Sequence, residues 1–145
     1  MALRYRLAGR GYALAPELGY ALASFVTGDP TGDAPDVKYD LVRAGFDGRW
    51  SPLSRVALLA RASYLHVLSA GPLTAPGRFA RAQARGMEAE AGLAFDLLAT
   101  MELHALVGLR RFGIDMLARP GDRLVAGGAA DQTTWLGMGI TYRGQ

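Results

Sequence analysis

The 145-residue sequence contains no cysteine, no long apolar run and no recognisable metal-binding or nucleotide-binding motif. Without cysteine the chain has neither disulfides nor thiolate metal sites, and we expect no metal and no cofactor. No window approaches about 18 uninterrupted apolar residues, which excludes a transmembrane helix. Residues 1–6 contain no apolar h-region, so any secretory signal has already been removed or lies outside this sequence.

What the sequence does contain is alternation. Between positions 87 and 97 apolar residues fall on odd numbers, while Glu88, Glu90 and Asp96 fall on even numbers. Because successive side chains of a strand point to opposite faces, this predicts a β-ribbon with one apolar and one charged face. The same pattern predicts seven strands in all, at 3–14, 18–27, 37–50, 55–68, 87–97, 101–112 and 135–142.

A helix over 80–109 is the alternative, since Ala, Glu, Leu and Met are good helix formers. A helix would scatter the charges of this stretch around its circumference and leave no clean apolar stripe. The shared parity of these charges therefore favours strands.

The predicted connections alternate between short and long. Short turns are expected at 15–17, 51–54 and 98–100, and long loops at 28–36, 69–84 and 113–131, where Pro, Gly and Asp accumulate. Tyr39 and Leu41 are out of phase with the apolar face of their strand, which predicts a β-bulge near Leu41.

Parity alone does not tell whether the apolar face meets a protein core or lipid. Most segments run about 12 to 14 residues, whereas a tilted strand needs about 9 to 11 to cross a bilayer and a globular strand has about 5 to 6. Short turns at one end and long loops at the other are typical of outer-membrane barrels. Aromatic residues of the apolar face are expected in two girdles, by the short turns (Tyr20, Trp50, Phe95 and Tyr142) and by the long loops (Tyr5 and Tyr64).

With these features the chain resembles the small outer-membrane β-barrel superfamily, the OmpA-like eight-stranded transmembrane domains. The closing strand 135–142 looks like the assembly signal of that family, although the final aromatic is followed by Arg143, Gly144 and Gln145. The resemblance implies an all-β fold, an antiparallel up-and-down (meander) transmembrane barrel formed by 1–145 as one domain. It also implies that the chain is porin-like and is located in the bacterial outer membrane.

Single-chain barrels of this kind have an even number of strands, so seven predicted strands imply one more before Met1. Arginines expected to face inward outnumber the inward carboxylates, which are Asp47, Glu88, Glu90, Asp96 and Glu102. These arginines are Arg4, Arg6, Arg10, Arg43, Arg49, Arg55, Arg61 and Arg110. Because buried charges need partners, the further strand is expected to carry an acidic or strongly polar inner face.

An eight-stranded barrel has room inside only for its own side chains. We therefore expect a plug of paired charges formed by Arg43, Asp47, Arg61, Glu88, Glu90, Glu102, His104 and Arg110. The alternative is a narrow gated channel in which some of these side chains move.

Enzymatic chemistry is not expected, because parity sends His66 outward and Ser63 inward, so the two diverge. Expected partners are the lipid bilayer, lipopolysaccharide contacted by Arg78, Arg81 and Arg85, and an extracellular ligand of the long loops. Nucleic acid is not expected despite the net charge of +3, since the arginines are dispersed. The sequence thus predicts an envelope anchor or surface-recognition barrel, with a soluble lipocalin-like ligand-binding barrel as the alternative.

Overall fold

A computed structural model describes residues 1–25, 37–75, 79–117 and 126–142. Most of them lie in eight strands, named in chain order β1 (Ala2–Arg4), β2 (Leu7–Gly9), β3 (Tyr12–Phe25), β4 (Val37–Leu53), β5 (Val56–Ser69), β6 (Gln83–Leu98), β7 (Met101–Asp115) and β8 (Gly128–Tyr142). One short 3-10 helix, Gly71–Thr74, follows β5. The predicted all-β fold is confirmed, and the helical alternative for 80–109 is wrong because β6 and β7 occupy that stretch.

The strands form one antiparallel meander in the order β1, β3, β4, β5, β6, β7, β8. Strand β2 pairs with the first residues of β3 and β1 with its middle, so β1 and β2 are two parts of one interrupted edge strand. The sheet therefore has seven strand positions, connected up and down as the alternation predicts.

The first hairpin turns earlier than predicted. Its two-residue turn is formed by Arg10 and Gly11, between the paired residues Gly9 and Tyr12. Gly11 has a φ of +74°, a left-handed conformation that glycine adopts without steric cost. The turn expected at 15–17 is wrong, since Pro16 lies inside β3 and pairs with Phe46 of β4.

Pro16 also accounts for the interruption of the edge strand. Its carbonyl accepts a hydrogen bond from the Tyr5 N–H at 3.2 Å, on the side of β3 that faces β1 and β2. In an antiparallel ladder the N–H and C=O of one residue point to the same side, and proline has no N–H to donate there. The ladder therefore breaks opposite Pro16, between Arg4 and Leu7.

The other predicted bounds need smaller corrections. Strands β4 and β6 end at Leu53 and Leu98, before two-residue turns, while the loop predicted at 113–131 shrinks because β7 runs to Asp115 and β8 begins at Gly128. The predicted loop 28–36 lies outside the described residues, as do 76–78 and 118–125 of the other two loops.

A register shift does lie at the predicted bulge, between Asp40 and Leu41. The extra residue is Leu68 of β5, which has no partner between the paired positions Ser69 and Val67. Tyr39 and Leu41 consequently stay on the same face as Arg43, and both are buried. The β-bulge predicted near Leu41 is therefore confirmed, with its extra residue on β5, and Tyr39 and Leu41 are out of phase because the inner face itself becomes apolar toward this end.

The sheet is strongly curved. The ring of Tyr39 in β4 stacks on Phe112 in β7 with 4.2 Å between ring centroids. These strands are three positions apart, a separation of about 14 Å in a flat sheet at about 4.8 Å per strand. Their side chains meet because the sheet curls into a barrel-like shape. We call its concave side the inner face and its convex side the outer face.

The end of the interior nearest the long loops is filled by an apolar cluster, which we call the end cluster. The 3-10 helix adds Leu73 to it, and Phe79 packs against it. Part of the predicted surface loop 69–84 is thus folded over the end of the barrel. The buried members of the end cluster are Val37, Tyr39, Leu41, Leu65, Ala70, Leu73, Phe112, Ile114 and Met116.

Glycines on the inner face lie directly opposite aromatic rings. Gly86 pairs with Phe112, and a Cβ at Gly86 would lie 2.6 Å from the Phe112 ring. Gly108 pairs in the same way with Trp135, where a Cβ would lie 2.2 Å from the ring. These positions need glycine because the partner ring covers the backbone, which lets large rings fit inside a narrow barrel.

Two sheet edges have no strand partner among the described residues. One is β8, and the other is the interrupted edge strand with the neighbouring end of β3. Every residue of β1 and β2 is exposed, on the inner face as well as the outer. The described sheet is therefore a curved meander with an open seam.

Candidate functional site

The outer face is apolar from one edge of the sheet to the other. Its exposed side chains include Leu3 at one edge, Tyr64 and Leu93 in the middle, and Leu136 and Met138 at the other edge. Leu136 and Met138 expose 78% and 75% of their surfaces. An exposed apolar surface of this extent normally marks an interaction with lipid or protein.

The aromatic residues of the outer face form two groups, but not with the predicted membership. Trp50, Phe95 and Tyr142 lie near the short turns as predicted, joined by Tyr12, the register partner of Trp50. Tyr20 is eight positions into β3 and level with Val42 and His66, so it belongs with Tyr64 at the long-loop end.

Tyr5 was predicted at the long-loop end as well, and this is wrong. It lies opposite Pro16, at mid-height of the sheet. Both errors have one cause, because moving the first turn from Pro16 to Gly11 shifts β1, β2 and β3 relative to the other strands.

The inner face carries the charged side chains, and Asp47 of β4 joins two of them. Its carboxylate contacts Arg4 on the edge strand and Arg61 on β5. Arg61 also reaches Glu90 on β6 at 3.2 Å. Charges of alternating sign on the adjacent strands β4, β5 and β6, and on the edge strand beyond β3, are thereby linked across the concave surface.

Glu88 of β6 is the most deeply buried charge of the site. Its side chain is 4% exposed, forms an ion pair with Arg43 at 2.8 Å and accepts a hydrogen bond from Arg110 at 2.7 Å. Arg43 also donates to the Ser63 hydroxyl at 3.1 Å and lies 3.5 Å from Glu17. A carboxylate buried between two arginines is well compensated, which is the condition for burying a charge at all.

Arg49 of β4 and Glu102 of β7 form a bidentate ion pair across the interior. The two guanidinium nitrogens lie 3.0 and 2.7 Å from the two carboxylate oxygens. The residues are 53 positions apart in the chain. Like the Tyr39–Phe112 stack, this pair joins strands that meet only because the sheet is curved, so it holds the curvature by a geometry-specific contact.

The structure thus brings together Arg43, Asp47, Arg61, Glu88, Glu90, Glu102 and Arg110, all predicted for the interior. His104 is different. Its ring lies beside Gly139, and it has no hydrogen bond or ion pair with a described residue. Its ring packs against its register partner Gly139, so the predicted place of His104 in the charge network is not seen among the described residues.

Three further corrections change the charge balance of the interior. Arg10 and Arg55 lie in turns and not inside, and Glu17 was missed because Pro16 suggested a turn there. The inner face then carries Arg4, Arg6, Arg43, Arg49, Arg61 and Arg110 together with Glu17, Asp47, Glu88, Glu90, Asp96, Glu102 and Asp131. The arginine excess from which an acidic further strand was predicted is therefore absent from the described residues.

Below the end cluster, toward the short turns, the interior holds a cavity of about 480 Å³. Its wall includes Arg4 and Arg6 from the edge strand and Leu106 from β7, with Arg49, Arg61 and Glu90 between them. Residues from six neighbouring strand positions surround one space, which again reflects the curvature of the sheet.

The residues considered for catalysis lie on opposite faces, as parity predicts. His66 is exposed on the outer face, while Ser63 is 9% exposed on the inner face and accepts from Arg43. Within the four described ranges, no group of three or more His, Asp or Glu side chains is placed to hold a metal ion. The same ranges contain no helix long and apolar enough to cross a membrane.

Comparison of the chain with protein-family models, with curated proteins and with solved structures finds no match.

Proposed function

We propose that this chain is an outer-membrane β-barrel of the OmpA-like type, which serves as an envelope anchor or surface-recognition scaffold. The observation that carries the proposal is the polarity of the curved sheet, with apolar side chains outward and paired charges inward. A soluble lipocalin-like barrel would have the reverse arrangement, an apolar interior and a polar surface.

The height of the apolar band supports lipid as its neighbour. Near the short turns Tyr12 pairs with Trp50 of β4, and near the long loops Tyr20 pairs with Val42 of β4. The distance between these two aromatic rows is therefore the length of β4 from position 42 to position 50. At about 3.3 Å per residue this is about 26 Å along the strand, less when tilted, close to the apolar band of about 25 Å in outer-membrane barrels.

The interior favours a plug over a conducting channel. The end cluster closes the long-loop end with buried rings, and Leu73 of the 3-10 helix packs into it. Below it, ion pairs such as Arg49–Glu102 cross the space from wall to wall. An anchor of this kind contacts its partners through residues at its rim. The parts of the long loops outside the described residues are candidates for these contacts.

A bilayer leaves no unpaired backbone at a sheet edge, so the proposal requires partners for both edges of the open seam. β8 and the interrupted edge strand both run toward the short turns. One strand running the opposite way between them would be antiparallel to both neighbours. It would also complete the even number that such barrels have.

Two properties of the purified chain test the proposal. An outer-membrane barrel needs detergent for extraction and migrates faster in an unboiled gel sample than in a boiled one. A chain that stays monodisperse in buffer without detergent, and migrates identically in both samples, would contradict the proposal.

A pair of matched variants tests the lipid contact itself. Leu109 is 38% exposed and lies in the row of Phe46, midway between the two aromatic rows, whereas Leu22 is 72% exposed and level with Asp40, beyond the row of Tyr20 at the long-loop end. In lipid vesicles Leu109→Arg should lower the free energy of unfolding by about 2–4 kcal/mol and Leu22→Arg by about 0–1 kcal/mol, because the cost depends on depth. If water is the solvent of this face, the two variants will have equal and small effects.

A further inference from the structure

Strands β5 and β6 separate at the long-loop end and leave a groove between them. Their paired register ends at His66 and Arg85, although β5 continues to Ser69 and β6 already begins at Gln83. The groove has a volume of about 690 Å³, and its wall includes Tyr64, His66, Thr74, Gln83, Arg85 and Asp115. It lies at the height of the aromatic group formed by Tyr20 and Tyr64.

Basic side chains meet at this groove without an equal number of acids. His66 and Arg85 are direct register partners on adjacent strands, an arrangement that is unfavourable when both are charged. Arg111 stands diagonally across from Arg85 on the same face, since Arg85 pairs with Gly113. Asp115 is the acidic group at the groove, 3.4 Å from Arg85, and both of these side chains are mostly exposed.

We infer that the groove binds the phosphate of an anionic membrane-lipid headgroup. This inference rests on the proposed membrane location, because it places the groove where headgroups lie. Arg85 presents a planar fork of donors suited to phosphate oxygens, with His66 and Arg111 beside it. The exposed side chains of Tyr64 and Met87 are register partners on β5 and β6 on the side of Arg85 nearer the middle of the apolar band, and they offer an apolar surface to the acyl chains.

The charge pattern favours a lipid phosphate over a free ion. The cationic side chains stand on the outer face at the limit of the apolar band, so the acyl chains of a lipid whose phosphate is bound there pack on Tyr64 and Met87, the next row toward the middle of the band. Free phosphate can contact only the cationic side chains and makes no use of the apolar surface. The lipid is therefore expected to bind more tightly than the inorganic ion.

Native mass spectrometry from micelles of an uncharged detergent measures this directly. Phosphatidic acid, phosphatidylcholine and inorganic phosphate are added separately to the full chain. We expect one phosphatidic acid per chain, and Arg85→Gln should weaken its binding about tenfold, the loss of one charge-assisted contact. Arg85→Lys should restore part of the affinity, since a positive charge remains.

Arg55→Gln is the matched control, because Arg55 is exposed in the turn at the opposite end of the barrel. It should leave phosphatidic acid binding unchanged. Equal losses in both variants would overturn the inference in favour of unspecific charge attraction. Inorganic phosphate that binds as tightly as the lipid would overturn it in favour of a free-anion site.

Failure of this inference is distinguishable from failure of the proposed function. If the chain is an outer-membrane barrel without this site, its unboiled gel mobility stays fast while Arg85→Gln binds phosphatidic acid like the unchanged protein. If the chain is not a membrane barrel, the mobility shift and the detergent requirement are themselves missing.

Discussion

The two ends of the barrel interior are packed by different chemistry on the same strands. On the inner face of β4, Tyr39 and Leu41 belong to the end cluster, whereas Asp47 and Arg49 further along are ion-paired. Strand β7 changes in the same way, from Phe112 at the long-loop end to Glu102 near the short turn. The long-loop end is thus filled by close-packed apolar side chains, and the short-turn end is held by ion pairs.

The difference in burial between the two ends indicates which end contributes more to the stability of the fold. Side chains of the end cluster are almost completely buried, with Tyr39 at 1% and Phe112 at 2% exposed. The charged half instead surrounds a cavity of about 480 Å³, and the side chain of Arg4 there is 53% exposed. We therefore expect the largest losses of stability from changes in the end cluster.

Phe112→Ala should have the largest effect, a loss of about 3–5 kcal/mol in the free energy of unfolding. The change deletes the ring stacked on Tyr39 and leaves a cavity above Gly86. Urea titration in lipid vesicles measures it. Leu109→Ala is the control on the outer face of the same strand, where the side chain is 38% exposed and its loss opens no interior cavity. Equal losses in the two variants would mean that the end cluster is not tightly packed.

Glu88→Gln should come next, with a loss of about 3 kcal/mol, because two arginines lose the carboxylate that compensates them. Glu90→Gln is the matched control, since Glu90 has one ion pair at 3.2 Å and a side chain that is 16% exposed. The control should cost clearly less in the same urea titration. If Glu90→Gln costs as much as Glu88→Gln, burial does not separate the two carboxylates as the structure indicates.

Gly86→Ala should destabilise by about 1–3 kcal/mol, because the added methyl overpacks a filled interior. It would lie 2.6 Å from the Phe112 ring. Gly137→Ala is the control, since a Cβ there has nothing within 4 Å. The double variant Gly86→Ala/Phe112→Ala should cost less than the sum of the two single changes. Additive losses would show that ring and methyl do not compete for the same space.

Alternation was enough to predict the strands and the polarity of the faces, because it depends only on the geometry of a single strand. It was not enough at Pro16, where local turn preference suggested a turn while the parity of Glu17 fits a continuous strand. Glu17 was lost from the predicted interior for that reason, and Tyr5 and Tyr20 were assigned to the wrong heights.

Contacts between distant strands were beyond prediction from the sequence for a different physical reason. Arg49 finds Glu102 only if the sheet curls tightly enough to bring β4 and β7 together. The glycine beneath Phe112 becomes recognisable only when the register pairs it with position 86. Both depend on curvature and register, which are properties of several strands together and have no single-strand pattern.

The smallest effect on stability is expected at the rim. Asp115→Asn removes an ion pair whose side chains are 71% and 58% exposed, and such pairs contribute about 0–1 kcal/mol. The same change deletes the acid beside Arg85, so phosphatidic acid should bind more tightly to this variant in the native mass spectrum. The free energy of unfolding and the affinity for phosphatidic acid should then change independently of each other. This is expected if the groove is a binding surface and not part of the packed interior. A loss of stability as large as that of Glu88→Gln would show that the rim is packed like the inner face.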